Sequence, residues 1–264
     1  MVDTEKGVKI ANRLRADFDI VESLGYTCIG TFLFGSQNYE IDTDESDIDT
    51  RAIVIPKFMD IVKGSEGINI YHKKLSGELI NIIDIRLFIH YIKKQNPNFL
   101  ETLFTHYRYI NKDFSYYLIE LFNKKEEIAR YDTSLADKAA LGCCISFCKS
   151  VLNSIEDSGD FSGKDLAHAI RYKDLVDSYL DGKPYEECLI PTHKQLIQDI
   201  KLKGNQFDNS FAKKLASQLI KNCNNLSAVI GDSSFNNNEI DSLFDNVIYN
   251  ILRYQFTKEF NSEQ

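Results

Sequence analysis

Between residues 8 and 23, apolar side chains fall at Val8, Ile10, Leu14, Phe18 and Val21, a spacing that predicts a helix, and Gly25 supplies its stop. Residues 26–34, rich in aromatic and β-branched side chains, predict a buried strand. Residues 47–55 (DIDTRAIVI) alternate until Pro56 ends them, predicting a second strand. Shorter strands are expected at 68–73 and 78–83, and Asp84 has the character of an N-cap for the helix IRLFIHYIKKQ, which Asn96-Pro97 terminates. NFLETLF then predicts a short helix, and residues 107–110 an edge strand. Beyond residue 113 the strand signal stops, and helical periodicities occupy 113–128, 134–156, 163–181, 192–202, 208–230 and 238–260, with a polar loop at 231–239. The pattern therefore predicts an α+β architecture in two parts, a mixed half at 1–112 and an all-helical half at 113–264.

Composition narrows the classes without selecting one. A hydrophobic fraction of 43% and a charged fraction of 27% are ordinary for a globular chain of 264 residues. No window approaches about eighteen consecutive apolar residues, so no membrane span is expected. The net charge of −8 argues against broad, sequence-independent adhesion to nucleic acid, while leaving room for a local basic groove. Six cysteines show no CxxC spacing and are expected as buried thiols in a reducing compartment. Together with the absence of a signal-like apolar core in MVDTEKGVKI, they give the expectation of a cytoplasmic protein.

The chemistry concentrates in FGSQNYEIDTDESDID, residues 34–49. Asp47 and Asp49, two apart on the predicted strand, direct their carboxylates to one face. Like charges so placed repel unless a cation lies between them, and Mg²⁺ or Mn²⁺ prefers such oxygen ligands. Upstream, Gly35 permits a close backbone approach to a phosphate, and Ser36 offers hydroxyl and amide donors. Asp42, Asp44 and Glu45 are expected as loop solvation, and Tyr39 either packs under the loop or stacks a base.

Gly35-Ser36, Tyr39, Ile41, Thr43, Ser46-Asp47-Ile48-Asp49 and Arg51 together resemble the signature of nucleotidyltransferases of the DNA polymerase β superfamily. More closely, they resemble the group associated with an RNA-repair pathway. The resemblance continues through Asn96-Pro97-Asn98, Glu101 and Phe104, and more weakly at Lys164, His168, Arg171 and Ile200-Lys201…Gly204. It implies a small mixed sheet flanked by helices, followed by a C-terminal helical bundle. It also implies transfer of a nucleoside monophosphate from a triphosphate such as ATP to a hydroxyl, with release of pyrophosphate. Asp47 and Asp49 would hold the metal, and Gly35 and Ser36 the β and γ phosphates. Arg51 would steady a carboxylate or reach a phosphate, with an ion pair to Asp49 or Asp44 as the plainer alternative. Lys164, His168 and Arg171 share one helix face, which would meet the triphosphate or an RNA backbone, or else lie in solvent.

This chain departs from the group at Glu40 and Ala52, where glycine is usual, and at the third carboxylate, whose slot on the neighbouring strand is expected to hold Asn81. Asparagine can offer a carbonyl oxygen but cannot accept a proton. Asp84 and Glu78 are the other carboxylates nearby. Two rival classes follow: a nucleotide-binding regulator that does not turn over, and an interaction scaffold built on the helical half. For the enzyme, the acceptor is an RNA end, a protein hydroxyl or a small molecule.

Overall fold

The computed structural model describes residues 4–43, 46–65, 67–75, 77–203, 207–231 and 237–262. Asp44, Glu45, Gly204 and the middle of the loop expected at 231–239 lie outside the described residues. Helix α1 (Thr4–Ser23) leads into β1 (Thr27–Phe34), a 3-10 turn (Ser36–Tyr39), β2 (Asp49–Ile55), α2 (Phe58–Val62), β3 (Asn69–Lys73) and β4 (Leu79–Asp84). There follow α3 (Ile85–Lys93), α4 (Pro97–Leu100), a 3-10 turn (Glu101–Leu103) and β5 (Arg108–Ile110). The remainder is helical: α5 (Ser115–Asn123), α6 (Lys125–Ala129), α7 (Thr133–Ser158), α8 (Gly163–Leu180), α9 (Tyr185–Cys188), α10 (Lys194–Lys203), α11 (Asn209–Val229) and α12 (Asn238–Ser262).

The strands form one mixed sheet in the order β3-β4-β2-β1-β5. Central β2 pairs antiparallel with β1 and parallel with β4, while β3 and β5 pair antiparallel at the edges. Alternation along β2 separates two cores. Ala52 and Val54 pack with Val21 of α1, Ile80 and Ile82. Ile53 and Ile55 join the large cluster that takes in Phe88, Leu100, Ala140 and Leu166. Asp49 and Arg51, in phase with Ile53, therefore share the face turned toward the helical half.

Most predicted elements appear within a few residues of their expected ends, and Asp84 caps α3 by accepting from the Arg86 amide at 2.8 Å. Three details differ. The strand expected from residue 47 begins at Asp49, so Asp47 belongs to the connecting segment. The helix expected over 113–128 breaks at Lys124 (φ −101°, ψ 17°), with no glycine or proline to mark the break. The short helices α2 and α9 carry too little periodicity to be foreseen. All six cysteines are free, and all but half-buried Cys143 are buried. Among the described residues, no helix is long and apolar enough to cross a membrane.

Candidate active site

A cavity of about 530 Å³ lies between the sheet and the helices. From the N-terminal half it is lined by Gly35, Ser36, Asp47, Asp49 and Arg51; from the helical half by Lys164, His168, Arg171 and Lys201. Of the candidate catalytic and nucleotide-binding residues expected from sequence, Asn81 is the one that does not line it.

The turn after β1 sets the geometry. Gly35 takes φ +84° and ψ −155°, a conformation open essentially to glycine alone, and a Cβ built there would meet Asp49 Oδ2 at 2.7 Å. The missing side chain is what lets the Asp49 carboxylate lie against the bend. The Gly35 amide, expected to face a phosphate, instead donates to Glu101 Oε2 at 3.3 Å. Ser36 lines the cavity beside it.

Asp49 is half-buried and Asp47 exposed. Burial raises the Asp49 carboxyl above its usual range; Lys164, Lys201 and Arg13 oppose that rise, and the Asp47 charge adds to it. Two like charges facing one cavity, one of them costly to ionise, suit a hard divalent cation. Mg²⁺ typically takes one or two carboxylates and completes its shell with water and substrate phosphates. The donor set fits that arrangement. It does not form a closed protein cage, because no group of three potential ligands is assembled among the described residues.

The neighbouring strand supplies no further carboxylate. Asn81 is buried opposite Arg51, accepts from Arg51 Nε at 2.7 Å and donates to Asn69 Oδ1 at 2.9 Å. Its amide is committed beneath the cavity, and Leu79 is the β4 residue that lines it. Asp84 is taken up by Arg86, and Glu78 pairs with Lys74 at 3.3 Å and with Arg13. Arg51 makes no ion pair with Asp49: its Nη1 donates to Asn98 O at 2.6 Å and Thr102 Oγ1 at 2.8 Å, its guanidinium lies over the rings of Phe34 and Phe99, and its charge favours the Glu101 carboxylate.

Glu101 has a part that the sequence did not disclose. Its buried carboxylate accepts from the Tyr39 hydroxyl as well as from Gly35, and so holds the turn from below. Burial raises its carboxyl, while Arg171 and Arg51 pull it down. Tyr39 is fully buried, packed under the loop.

The helical half provides cations at graded depth. Lys164 is exposed, His168 half-buried and Arg171 buried between the rings of Tyr39 and Tyr172, 4.0 and 4.1 Å from their centroids. The Arg171 Nε atom has no hydrogen-bond partner. Helix α10 clamps the segment leading to Asp47: Lys201 Nζ donates to Ile41 O at 3.0 Å, Gln198 to Asp42 O at 3.2 Å, and Lys194 pairs with Glu40. Glu40 stands at φ 54°, a left-handed conformation that accounts for glycine being usual there. The Asp42 side chain, expected in solvent, instead pairs with Lys6 at 2.5 Å.

A mixed sheet whose first strand ends in a Gly-Ser turn, and whose second opens beside an Asp-x-Asp pair, is the arrangement that the resemblance to a polymerase β-like domain implies. Residues 18–131 match the model of the RNA repair pathway DNA polymerase beta family (RlaP), bearing out the resemblance over that segment. The match stops before α7, so Lys164, His168 and Arg171 lie beyond it. None of the curated proteins compared with the chain matches it.

Proposed function

We propose that the cavity transfers a nucleoside monophosphate from a nucleoside triphosphate to a hydroxyl acceptor, and that the acceptor is an RNA end. One observation carries the reading: the Asp47/Asp49 pair and the Ser36 turn face Lys164, Arg171 and Lys201 across a single cavity. Asp47 and Asp49 would hold Mg²⁺ or Mn²⁺, which when bound neutralises charge on the attacking and leaving oxygens. Ser36 donates to the polyphosphate from the sheet side, and Lys164, Lys201 and Arg171 balance its charge from the helical side. Glu101 keeps the Gly35 bend rigid, so the phosphate-binding turn and Asp49 hold their spacing. The acceptor oxygen forms a bond to the α-phosphorus, the bond to the β-phosphate bridging oxygen breaks, pyrophosphate leaves, and the hydroxyl proton passes to solvent, since Asn81 cannot accept it. The description of the matching family supports an RNA acceptor, and the net charge of −8 keeps its contact local to the cavity mouth.

A second reading, a nucleotide-binding regulator, is favoured by Asn81 being bonded to Arg51 while Leu79 faces the cavity. Incubating the chain with labelled triphosphates, Mg²⁺ or Mn²⁺ and a mixed RNA pool separates the two. Label on RNA that is lost in the Asp47→Ala/Asp49→Ala variant is the expected result. Metal-dependent binding with no pyrophosphate release selects the regulator, and label transfer that survives in the variant removes the site from both readings.

A further inference from the structure

We infer that the α7–α8 wall of the cavity is a stacking platform for the nucleobase, with the half-buried His168 ring as the member set among its cations; the inference rests on the nucleotide reading above. Three rings line this wall: Phe147 from α7, and His168 and Tyr172 from α8. Phe147 lies nearly parallel to both, with centroid separations of 4.9 Å to His168 and 5.9 Å to Tyr172 and interplanar angles of 29° and 14°. Two contacts fix this layer, one from α4 and one from α8 itself. The Tyr172 hydroxyl bonds Asn98, and the Arg171 guanidinium covers the Tyr172 ring. Phe147 stacks on both α8 rings; it and His168 are half-buried while Tyr172 is buried, and of the two reachable rings His168 is the one set among the cations.

Position on the helix separates the roles along this face. Lys164 precedes His168 by one turn and Arg171 follows it, and with Lys201 they surround the imidazole with positive charge. Burial first, then those three cations, push its pKa down to about 3, which keeps His168 neutral near pH 7. A cationic histidine would have joined its neighbours in binding phosphate. A neutral one contributes a flat ring with one donor and one acceptor nitrogen. The cations beside it suit a polyphosphate, and the uncharged layer suits the one uncharged, planar part of the same molecule. Stacking of this kind tolerates any base, because every base has a π-face. The platform therefore binds all four nucleotides, with larger purines ahead of pyrimidines.

The test compares ATP with inorganic tripolyphosphate, each with Mg²⁺, by calorimetry on the full chain, with thermal melts to establish folding. His168→Ala is expected to weaken ATP by about tenfold or more while leaving tripolyphosphate unchanged. His168→Phe, which keeps a ring and removes both nitrogens, retains ATP affinity. Lys164→Ala weakens both ligands. Equal loss of both ligands in His168→Ala would assign the imidazole to the phosphates and overturn the platform alone, as would no loss of either. Failure of the wild-type chain to bind either ligand would overturn the nucleotide reading itself.

Discussion

Arg51 and Asn81 close on each other across the β2–β4 pair, and that contact decides where a third carboxylate could act. The register sets Thr50 beside Ile80 and Arg51 beside Asn81, so the residue next to Asp49 on β4 is Leu79. Leu79 is 45% exposed and lines the cavity, whereas Asn81 is 1% exposed and does not. A carboxylate at 79 would be solvated and close to the Asp pair. One at 81 would be buried against the Arg51 guanidinium and neutralised there. At water-like screening an added charge some 4 Å from a divalent cation contributes about 2 kcal/mol, about a thirtyfold change in binding. Leu79→Asp is therefore expected to strengthen Mg²⁺-dependent nucleotide binding by about that factor, and Asn81→Asp to leave the metal response unaltered. Titrating each variant with nucleotide at varied Mg²⁺ decides it. A gain confined to Asn81→Asp would return the slot to position 81 and show that the Arg51 contact yields to a metal.

At the scale of elements, the turn between β1 and the first 3-10 helix does most to shape the cavity. Gly35→Ala would force a side chain into a backbone region reserved for glycine and against Asp49 Oδ2 at 2.7 Å. Such strain costs about 1–3 kcal/mol. The expected result is a lowered urea midpoint together with weakened nucleotide binding, because relief of the clash moves Asp49 off the bend. A variant as stable and as tight as the wild type would show that the bend adapts freely. This turn also marks how far the sequence was legible. Glycine, serine and the Asp-x-Asp pair are local signals, and the strands on either side alternate in plain view, so the carboxylates and the bend could be placed together from sequence. What holds them was not legible, because the partners are far away along the chain. Glu101 looks like any residue of a short helix, yet its carboxylate fixes Gly35 and Tyr39. Lys164, His168 and Arg171 share a face at helical spacing, but spacing does not give depth, and the three run from solvent into the core. Phe147 belongs to the apolar rhythm of α7 and carries nothing that distinguishes it from a core residue.

Across the whole molecule, the two halves that the sequence separates at residue 112 share one apolar cluster, from Ile29 and Phe32 on the sheet to Phe244 and Ile251 on α12. Specific contacts cross the same boundary. Gln95 Nε2 donates to Ile128 O at 3.0 Å, the Phe104 and Tyr185 rings lie 5.0 Å apart, and Arg171 caps Tyr39. The cavity is built the same way, since the Asp47/Asp49 pair comes from one half and most of its cations from the other. Cutting after residue 112 would strip the helical half from the cluster that holds Ile53, Ile55 and Phe32, leaving α3 and α4 as its remaining cover. Burial of each such side chain contributes about 1.5–3 kcal/mol, against a net stability of only about 5–15 kcal/mol for a typical domain. A 1–112 fragment is therefore expected to lack a cooperative unfolding transition and to bind no nucleotide, while the full chain unfolds in one step. Urea titrations followed by near-ultraviolet circular dichroism on both proteins check this. A sharp transition in the fragment would mean that the sheet and α1 stabilise themselves, with the helical half as a separable cover. The single step expected instead makes the closure of sheet against helices part of folding, so that the site is complete only when the whole core is.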